Sequence, residues 1–269
     1  MTPLTLTGQT ILITGASAGI GAEFARRFAQ RGAHLVLVAR RAERLEELAT
    51  ALRAEHGVTV TPLPFDLMRP GAGQALSDEV ARRGIRITGV VNNAGIGSYG
   101  PFHTEAPSRV DEEIGLNITA LVDISRVFIE RLRAEPSGVL INVASMAAYQ
   151  PSPKLAVYAA TKAFVLNFTE ALWYESRGTG LRVLALSPGA TETEFFEVAG
   201  SDDADGGSRR QSPAQVVDVA FAALDSRVSR PSVISGRGNR IAMAVSRLFS
   251  RRRVVLVMGA LVDRERTAR

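Results

Sequence analysis

Tyr158 and Lys162 stand four residues apart in Tyr158-Ala159-Ala160-Thr161-Lys162, and Ser145 lies upstream at the end of an apolar run. On a helix, positions i and i+4 are stacked neighbours on one face, so the Lys162 ammonium would favour the phenolate of Tyr158. A free tyrosine titrates near about 10, and a nearby cation lowers that value. Tyr158 would then exchange protons at neutral pH as a general acid or base. Such a pair also occurs on ordinary solvated helix faces, so the reading needs elements that would position it.

Those elements begin at the other end of the chain. Thr10 to Ile13 is a β-branched apolar run, Thr14-Gly15-Ala16-Ser17-Ala18-Gly19-Ile20-Gly21 follows, and Phe24, Ala25 and Phe28 then recur at helical spacing. This predicts strand, glycine turn, helix. Gly15 permits the sharp turn, Gly19 lets backbone approach a pyrophosphate, and Gly21 lets the helix pack closely on the strand. The helix start, with Ser17, Ala18 and Ile20 around it, would hold phosphates through free N–H groups and the positive dipole end.

Gly15-Ala16-Ser17-Ala18-Gly19 also fits the G-x-S-x-G elbow of a serine hydrolase, which needs an acid and a histidine downstream. Of the three histidines, His34 should start a strand and His56 should end a helix, leaving His103 with no local feature to mark it. The hydrolase is therefore the third-placed reading.

A second predicted strand, His34 to Ala39, ends in Arg40-Arg41, and no acid lies between Gly32 and Ala42. An acid at that place suits the ribose hydroxyl of NAD, whereas arginine suits the 2′-phosphate of NADP. A charged hydrogen bond of about 1.5–3 kcal/mol corresponds to roughly 10- to 100-fold preference for NADP, which makes NAD the less favoured coenzyme. The competing possibility is that Arg40 to Arg44 form a solvated helix start, at even weight for Arg41 and Arg44.

With these pieces placed, the chain resembles the short-chain dehydrogenase/reductase family from about Gly8 to Ile234. Thr14-Gly15-x-x-x-Gly19-Ile20-Gly21 looks like its coenzyme motif and Asp66-Leu67 like its adenine-contacting pair. Asn92-Asn93-Ala94-Gly95 resembles the motif that ends the fourth strand. Asn117, Ser145, Tyr158 and Lys162 match its catalytic tetrad, and Pro188-Gly189 with Thr191 and Thr193 its nicotinamide segment. The resemblance implies a Rossmann-type fold and hydride transfer from the coenzyme. It implies that Ser145 binds the substrate oxygen, that Tyr158 is acid in reduction and base in oxidation, and that Lys162 lowers the Tyr158 pKa and holds the ribose. Asn117, in a helical stretch expected from Ser108 to Ala134, would free a backbone carbonyl for a proton relay to Lys162. The resemblance also implies a homodimer or homotetramer through the long helices around Asn117 and Tyr158.

The chain has 269 residues and 46% hydrophobic content, which fits a single α/β domain with a doubly wound parallel sheet. Further strands are predicted at Val58 to Leu63, Gly89 to Val91, Val139 to Val143, Arg182 to Leu186 and Ser232 to Ser235, about seven in all. The net charge of +5 rests on scattered arginines, Lys154 and Lys162 being the only lysines; without a concentrated basic face this argues against a nucleic-acid partner. The absence of cysteine excludes disulfides and cysteine metal sites and fits a cytoplasmic protein. Residues 1–8 lack the pattern of a signal peptide.

Substrate choice is expected between Gly189 and Gln211, where Phe195-Phe196 precede the polar run Gly200 to Gly207. Loops of that length are commonly lids; this one is expected to close over an apolar substrate with Phe195 and Phe196 inward, helped by Phe102 and Tyr149. Ser212-Pro213-Ala214-Gln215 then reads as a capping box opening a helix.

Residues 1–235 would form the catalytic domain and 236–269 an extension, with Ile241, Met243, Val245, Leu248 and Phe249 on one helical face before Arg251-Arg252-Arg253 and the run Val254 to Val262. That run is too short for a bilayer helix of about 20 residues. The tail would roof the pocket or form a subunit interface in preference to lying on a membrane surface; similar tails occur in the bacterial subgroup that the chain resembles. The leading expectation is an NADP-dependent reductase or dehydrogenase of a small hydrophobic carbonyl or alcohol, the alternative a non-catalytic dinucleotide-binding regulator or scaffold.

Overall fold

The computed structural model of the protein describes residues 6–200 and 209–267. Its strands are β1 (Thr10–Thr14), β2 (His34–Ala39), β3 (Val60–Pro64), β4 (Gly89–Asn92), β5 (Val139–Val143), β6 (Arg182–Ser187) and β7 (Ser232–Ile234). They are hydrogen-bonded in the order β3-β2-β1-β4-β5-β6-β7, and each neighbouring pair is parallel. Parallel strands covered on both faces read as continuous apolar runs rather than alternating ones, which is why Ile11-Leu12-Ile13 and Leu35-Val36-Leu37-Val38 are wholly buried.

Alternate residues of each strand feed two separate cores. Ile11, Ile13, Leu35 and Leu37 join Phe24 and Phe28 of α1 (Gly19–Gln30), Leu45 and Leu52 of α2 (Ala42–His56), and Phe221 of α8 (Pro213–Leu224). Leu12, Val36 and Val90 face the opposite layer, with Leu76 and Val80 of α3 (Ala72–Arg82) and Ile124, Phe128 and Leu132 of α5 (Leu121–Ala134). The sheet changes direction between β1 and β4, so their C-terminal ends diverge there and leave the crevice in which such folds bind ligands.

The helix expected as one piece from Ser108 to Ala134 is continuous but widens midway. α4 (Pro107–Ile114) passes into a π turn over Gly115–Ala120 before α5 begins. Gly115 is a poor helix former, and the Asn117 side chain is drawn out to backbone at Ile96, so the wider turn is stabilised by contacts outside the helix. β3 starts two residues later than expected because left-handed Gly57, φ +66°, ends α2. The expected capping box is present: Ser212 Oγ accepts from Gln215 N at 3.3 Å and Gln215 Oε1 from Ser212 N at 3.0 Å.

α6 (Ala156–Glu175) packs beside β5 and β6, and the short α7 (Phe195–Ala199) follows β6. Within the expected lid, Thr191 bridges Gln211, so the two ends of the segment are tied together; residues 201–208 lie outside the described residues. The extension folds as α9 (Arg237–Ser246) and α10 (Arg251–Thr267). No described helix is long and apolar enough to cross a membrane.

A buried polar chain ties helix, strand, strand and helix together. Asn92 Nδ2 donates to Ser125 Oγ at 3.0 Å and to Asn142 Oδ1 at 2.9 Å, and Asn142 Nδ2 donates to Thr169 Oγ1 at 2.9 Å. Buried polar groups are costly only when a partner is missing. Asn142→Ala, which removes one of the two acceptors of Asn92 Nδ2 and opens a small void, should cost about 2–4 kcal/mol in urea unfolding; a loss below about 0.5 kcal/mol would show that the polar chain contributes little to stability.

Candidate active site

Three consecutive residues after β4, Gly95, Ile96 and Gly97, organise the site. A Cβ on Gly95 would sit 3.0 Å from Asn117 Oδ1 and 3.2 Å from Lys162 Nζ; one on Gly97 would sit 3.0 Å from Tyr158 Cδ2 and 2.7 Å from Phe195 Cζ. Between them Ile96 holds the Asn117 amide on both sides, its N–H donating to Oδ1 at 3.0 Å and its carbonyl accepting from Nδ2 at 2.9 Å. Asn117 Nδ2 also reaches Thr161 Oγ1 at 3.0 Å, on the same α6 as Tyr158 and Lys162. Close approach of bare backbone is what brings π turn and α6 together here.

Ser145 follows β5 and starts the 3-10 turn Met146–Tyr149, its Oγ accepting from Ala147 N at 3.1 Å. That leaves the hydroxyl proton free, and Ser145 is near enough to Tyr158 to pull its pKa down. Lys162 is buried, with Nζ donating to the Val143 carbonyl at 2.9 Å. Asn117, Ser145, Tyr158 and Lys162 are thus brought together from three places in the chain.

One expectation is corrected. The helix spacing suggests that Lys162 makes Tyr158 acidic, but in this form burial raises Tyr158 to about 12, with the Ser145 hydrogen bond pulling it down and the Glu113 charge adding to the rise. Burial likewise lowers Lys162 to about 8, against the opposing pull of Glu113. The ammonium lies 5.8 Å from the Tyr158 ring centroid and is engaged with Val143 instead. Loss of hydration is the largest influence on both groups, which share one floor. Tyr158 remains half-buried, so water in the cleft tempers its share.

From that floor one cavity of about 1450 Å³ runs to the glycine turn and on to Arg40, Arg41, Asp66 and Leu67. Gly15, Ser17, Ala18, Gly19 and Ile20 line it at the start of α1, which no side chain caps. Gly21 sits beneath, where a Cβ would lie 2.3 Å from the Gly15 carbonyl. Asn93 fixes the turn, donating through Nδ2 to Thr14 O at 3.0 Å and Gly15 O at 3.2 Å, and Thr14 Oγ1 accepts from the N–H groups of Asn93 and Ala94. Pro188, Gly189, Thr191 and Thr193 form the facing wall with Ala94 and Gly95 across the cleft. An uncapped helix start on a cavity wall, lying next to arginines, fits a phosphate-bearing dinucleotide.

The arginines differ in their engagements. Arg41 donates to Ser17 Oγ at 3.0 and 3.2 Å and pairs with Glu194 at 2.7 Å, and Arg44 also pairs with Glu194. Those hydrogen bonds, from Arg44 and then Arg41, hold the Glu194 carboxyl below the usual range. Arg40 lines the cavity and is exposed, with no ion pair among the described residues. Glu194 is a site residue that the sequence reading passed over, since nothing local marks a salt bridge spanning 150 positions.

Of the aromatic residues expected around a substrate, Phe195 and Phe196 line the cavity, Phe195 with its ring 5.0 Å from that of Tyr158. Phe102 does not: it is 61% exposed on a short turn after Pro101 and outside the cavity wall. Tyr149 is turned away as well, packing with Leu121, Val165 and Leu166 and placing its hydroxyl 3.5 Å from Ser187 Oγ. The remaining wall comes from the extension, including Met243 and Phe249 and, on α10, Val254 and Met258. Gln150 Nε2 reaches Met258 Sδ at 3.1 Å and Lys154 Nζ reaches Val262 O at 3.4 Å. Ser17 faces Arg41, and His103 is exposed outside the cavity, so the hydrolase arrangement is not formed.

Comparison with known proteins agrees with this geometry. Residues 9–204 match the family model for short chain dehydrogenase. The chain is 38% identical over 216 residues to sulfoacetaldehyde reductase 2 of Chromohalobacter salexigens, covering 78% of this chain and 84% of that one. A short-chain dehydrogenase from Sphingobium yanoikuyae in complex with NADPH superposes with a TM-score of 0.77 at 36% identity, over 89% of this chain and 93% of the other. A 7beta-hydroxysteroid dehydrogenase structure superposes with a TM-score of 0.83 at 27% identity, over 96% of this chain and all of the other. The seven-stranded parallel sheet, the glycine turn at its switch point and these matches have one reading: the chain belongs to the short-chain dehydrogenase family of oxidoreductases.

Proposed function

We propose that the protein is an NADP(H)-dependent reductase, or the reverse alcohol dehydrogenase, acting on a bulky hydrophobic carbonyl or alcohol. The observation that carries this is the single cavity joining the uncapped α1 start to the floor formed by Ser145, Tyr158 and Lys162. NADPH, when bound, supplies the hydride that reduces the carbonyl carbon. The chain supplies the rest. Ser145 donates a hydrogen bond to the carbonyl oxygen, and Tyr158 gives that oxygen its proton; in oxidation both steps reverse. Lys162 holds the ribose and biases the Tyr158 proton, and the π turn at Asn117 alters the backbone hydrogen-bonding register beside it.

Arg40 carries the 2′-phosphate role because Arg41 and Arg44 are already engaged by Glu194. Phe195, Phe196, Met243 and Phe249 supply the apolar walls for a large substrate, in keeping with the hydroxysteroid dehydrogenase likeness. Association of subunits across α4–α6, where Ile114 and Phe164 stand exposed, belongs to the same reading. Ser145, Tyr158 and Lys162 standing intact on one cavity wall count against a scaffold that has lost its chemistry.

Tyr158→Phe should cut carbonyl-dependent NADPH oxidation by about 10²- to 10⁴-fold while NADPH binding, followed by its fluorescence, persists; an active variant would remove Tyr158 from the acid role. Arg40→Asp should move the NADP-to-NAD preference in kcat/KM toward NAD by roughly 10- to 100-fold, and an unchanged ratio would clear Arg40 of phosphate binding. Lys162 titrates near 8 when folded against an ordinary 10.5. Between those values the unfolded chain holds the extra proton, so stability should rise with pH. Urea midpoints taken from about pH 8 to about pH 10 should therefore climb more steeply for the native chain than for Lys162→Met; equal slopes would contradict the burial of an ionisable Lys162.

A further inference from the structure

A carboxyl group that the chemistry above does not use lies beside the acid–base pair. Glu113, on α4 one helical turn before Asn117, is fully buried, and its Oε1 has no hydrogen-bond partner among the described residues. Its Oε2 lies 2.7 Å from Ser98 Oγ, and that same Ser98 Oγ is hydrogen-bonded to Glu105 Oε1.

Proton counting decides what this triad is. A serine hydroxyl owns one proton, and an ionised carboxylate can only accept. Ser98 can satisfy one of the two carboxylates but not both. The second contact is a hydrogen bond only if one of the carboxyls is itself the neutral acid and donates to Ser98 Oγ. Burial penalises the charged form, and Glu113 is fully buried while Glu105 is half-buried. Glu113 is therefore the acid, Glu105 the carboxylate, and Ser98 the link that donates outward and accepts from within.

The surrounding charges agree. Burial is the largest influence on Glu113 and raises its pKa; Glu105 pushes the same way, while the Ser98 hydrogen bond, Arg109 and Lys162 pull it down. Arg109, on the same helix, is committed elsewhere: it pairs with Glu112 at 3.1 Å and donates to the carbonyls of Gly97 and Val198, each at 3.1 Å. Lys162 and Tyr158 face Glu113 from α6, close enough that a charge on Glu113 would act on both. The backbone that spaces Lys162, Asn117 and Tyr158 at Gly95, Ile96 and Gly97 continues directly into Ser98.

We propose that Glu113, Ser98 and Glu105 form a proton line between the floor of the active site and solvent, with Glu113 as its inner store. This rests on the reading of Tyr158 as the acid. In reduction, Tyr158 gives its proton to the substrate oxygen, and the Glu113 carboxyl turns its proton away from Ser98 and returns it to the Tyr158 phenolate on the Lys162 side. Ser98 passes its hydroxyl proton to Glu113 and takes one from Glu105, which draws on bulk water. One proton leaves solvent and one reaches the product oxygen, and oxidation runs the line backwards. Glu113 and Ser98 are positioning and relay residues that do not touch the substrate.

Glu113→Gln keeps the shape and a donor to Ser98 but has no proton to release, and Ser98→Ala cuts the line with a smaller change. The infrared carbonyl stretch of a protonated carboxylic acid should be present in the coenzyme-free native protein at neutral pH and absent in Glu113→Gln; a native spectrum without that band overturns the assignment. In steady-state NADPH oxidation with a bulky ketone, both variants should lose of the order of 10-fold in kcat, less than the about 10²- to 10⁴-fold of a direct acid–base group. Both should show a larger solvent deuterium isotope effect and an altered kcat–pH profile, with NADPH affinity unchanged. Native kcat, isotope effect and pH profile in Glu113→Gln overturn the line while leaving the reductase reading standing, as does a native-like Ser98→Ala. A native protein that never oxidises NADPH overturns both, whatever its infrared spectrum.

Discussion

The two hydrogen bonds between the Asn117 amide and the backbone of Ile96 are the constraint on which the rest of the site hangs. They pull one residue of a helix toward the loop after β4, and the helix answers by widening into a π turn rather than breaking. Because Asn117 also bonds Thr161 on α6, the loop, the π turn and the helix carrying Tyr158 and Lys162 are fixed as one unit. Glycines at 95 and 97 are needed because side chains there would fall on Lys162 and Tyr158. An active site of this kind is built by approach of bare backbone and then held by a few charge-free hydrogen bonds.

Desolvation governs the electrostatics of that unit. Tyr158, Lys162 and Glu113 are all pushed toward their neutral forms; Lys162 and Glu113 partly offset each other's shift, while Glu113 adds to that of Tyr158. A floor whose groups are drawn toward their neutral forms loses less when a proton moves among its members, which favours acid–base work near neutrality. The charged contacts lie further out, where Glu194 gathers Arg41 and Arg44 across the cleft, and where water screens what they contribute to stability.

The division of labour along the cavity follows from the sheet. β1, β4, β5 and β6 end at one edge and deliver the glycine turn, the Gly95–Ser98 segment, Ser145 and Pro188–Gly189 respectively. Substrate walls are assembled from outside the sheet, by α7 and by the two helices of the extension. The chemistry thus sits on rigid elements and the apolar surface on peripheral ones, which lets one change without disturbing the other.

What was legible in the chain was whatever rests on neighbours in sequence. Glycines before a helix, apolar runs of strand length, the Ser212–Gln215 capping box and a Tyr–Lys pair one turn apart are local patterns, and local sterics and hydrogen bonding enforce them wherever the segment finds itself. Phe102 and Tyr149, by contrast, read as pocket residues and lie elsewhere, because an aromatic side chain carries no record of which surface it will cover. The π turn, the Glu194 bridge and the proton count at Ser98 depend on groups that meet only after the sheet has formed. The pKa of Tyr158 belongs with them: helix spacing names its cationic neighbour, but the dielectric that outweighs that neighbour is made by the folded whole.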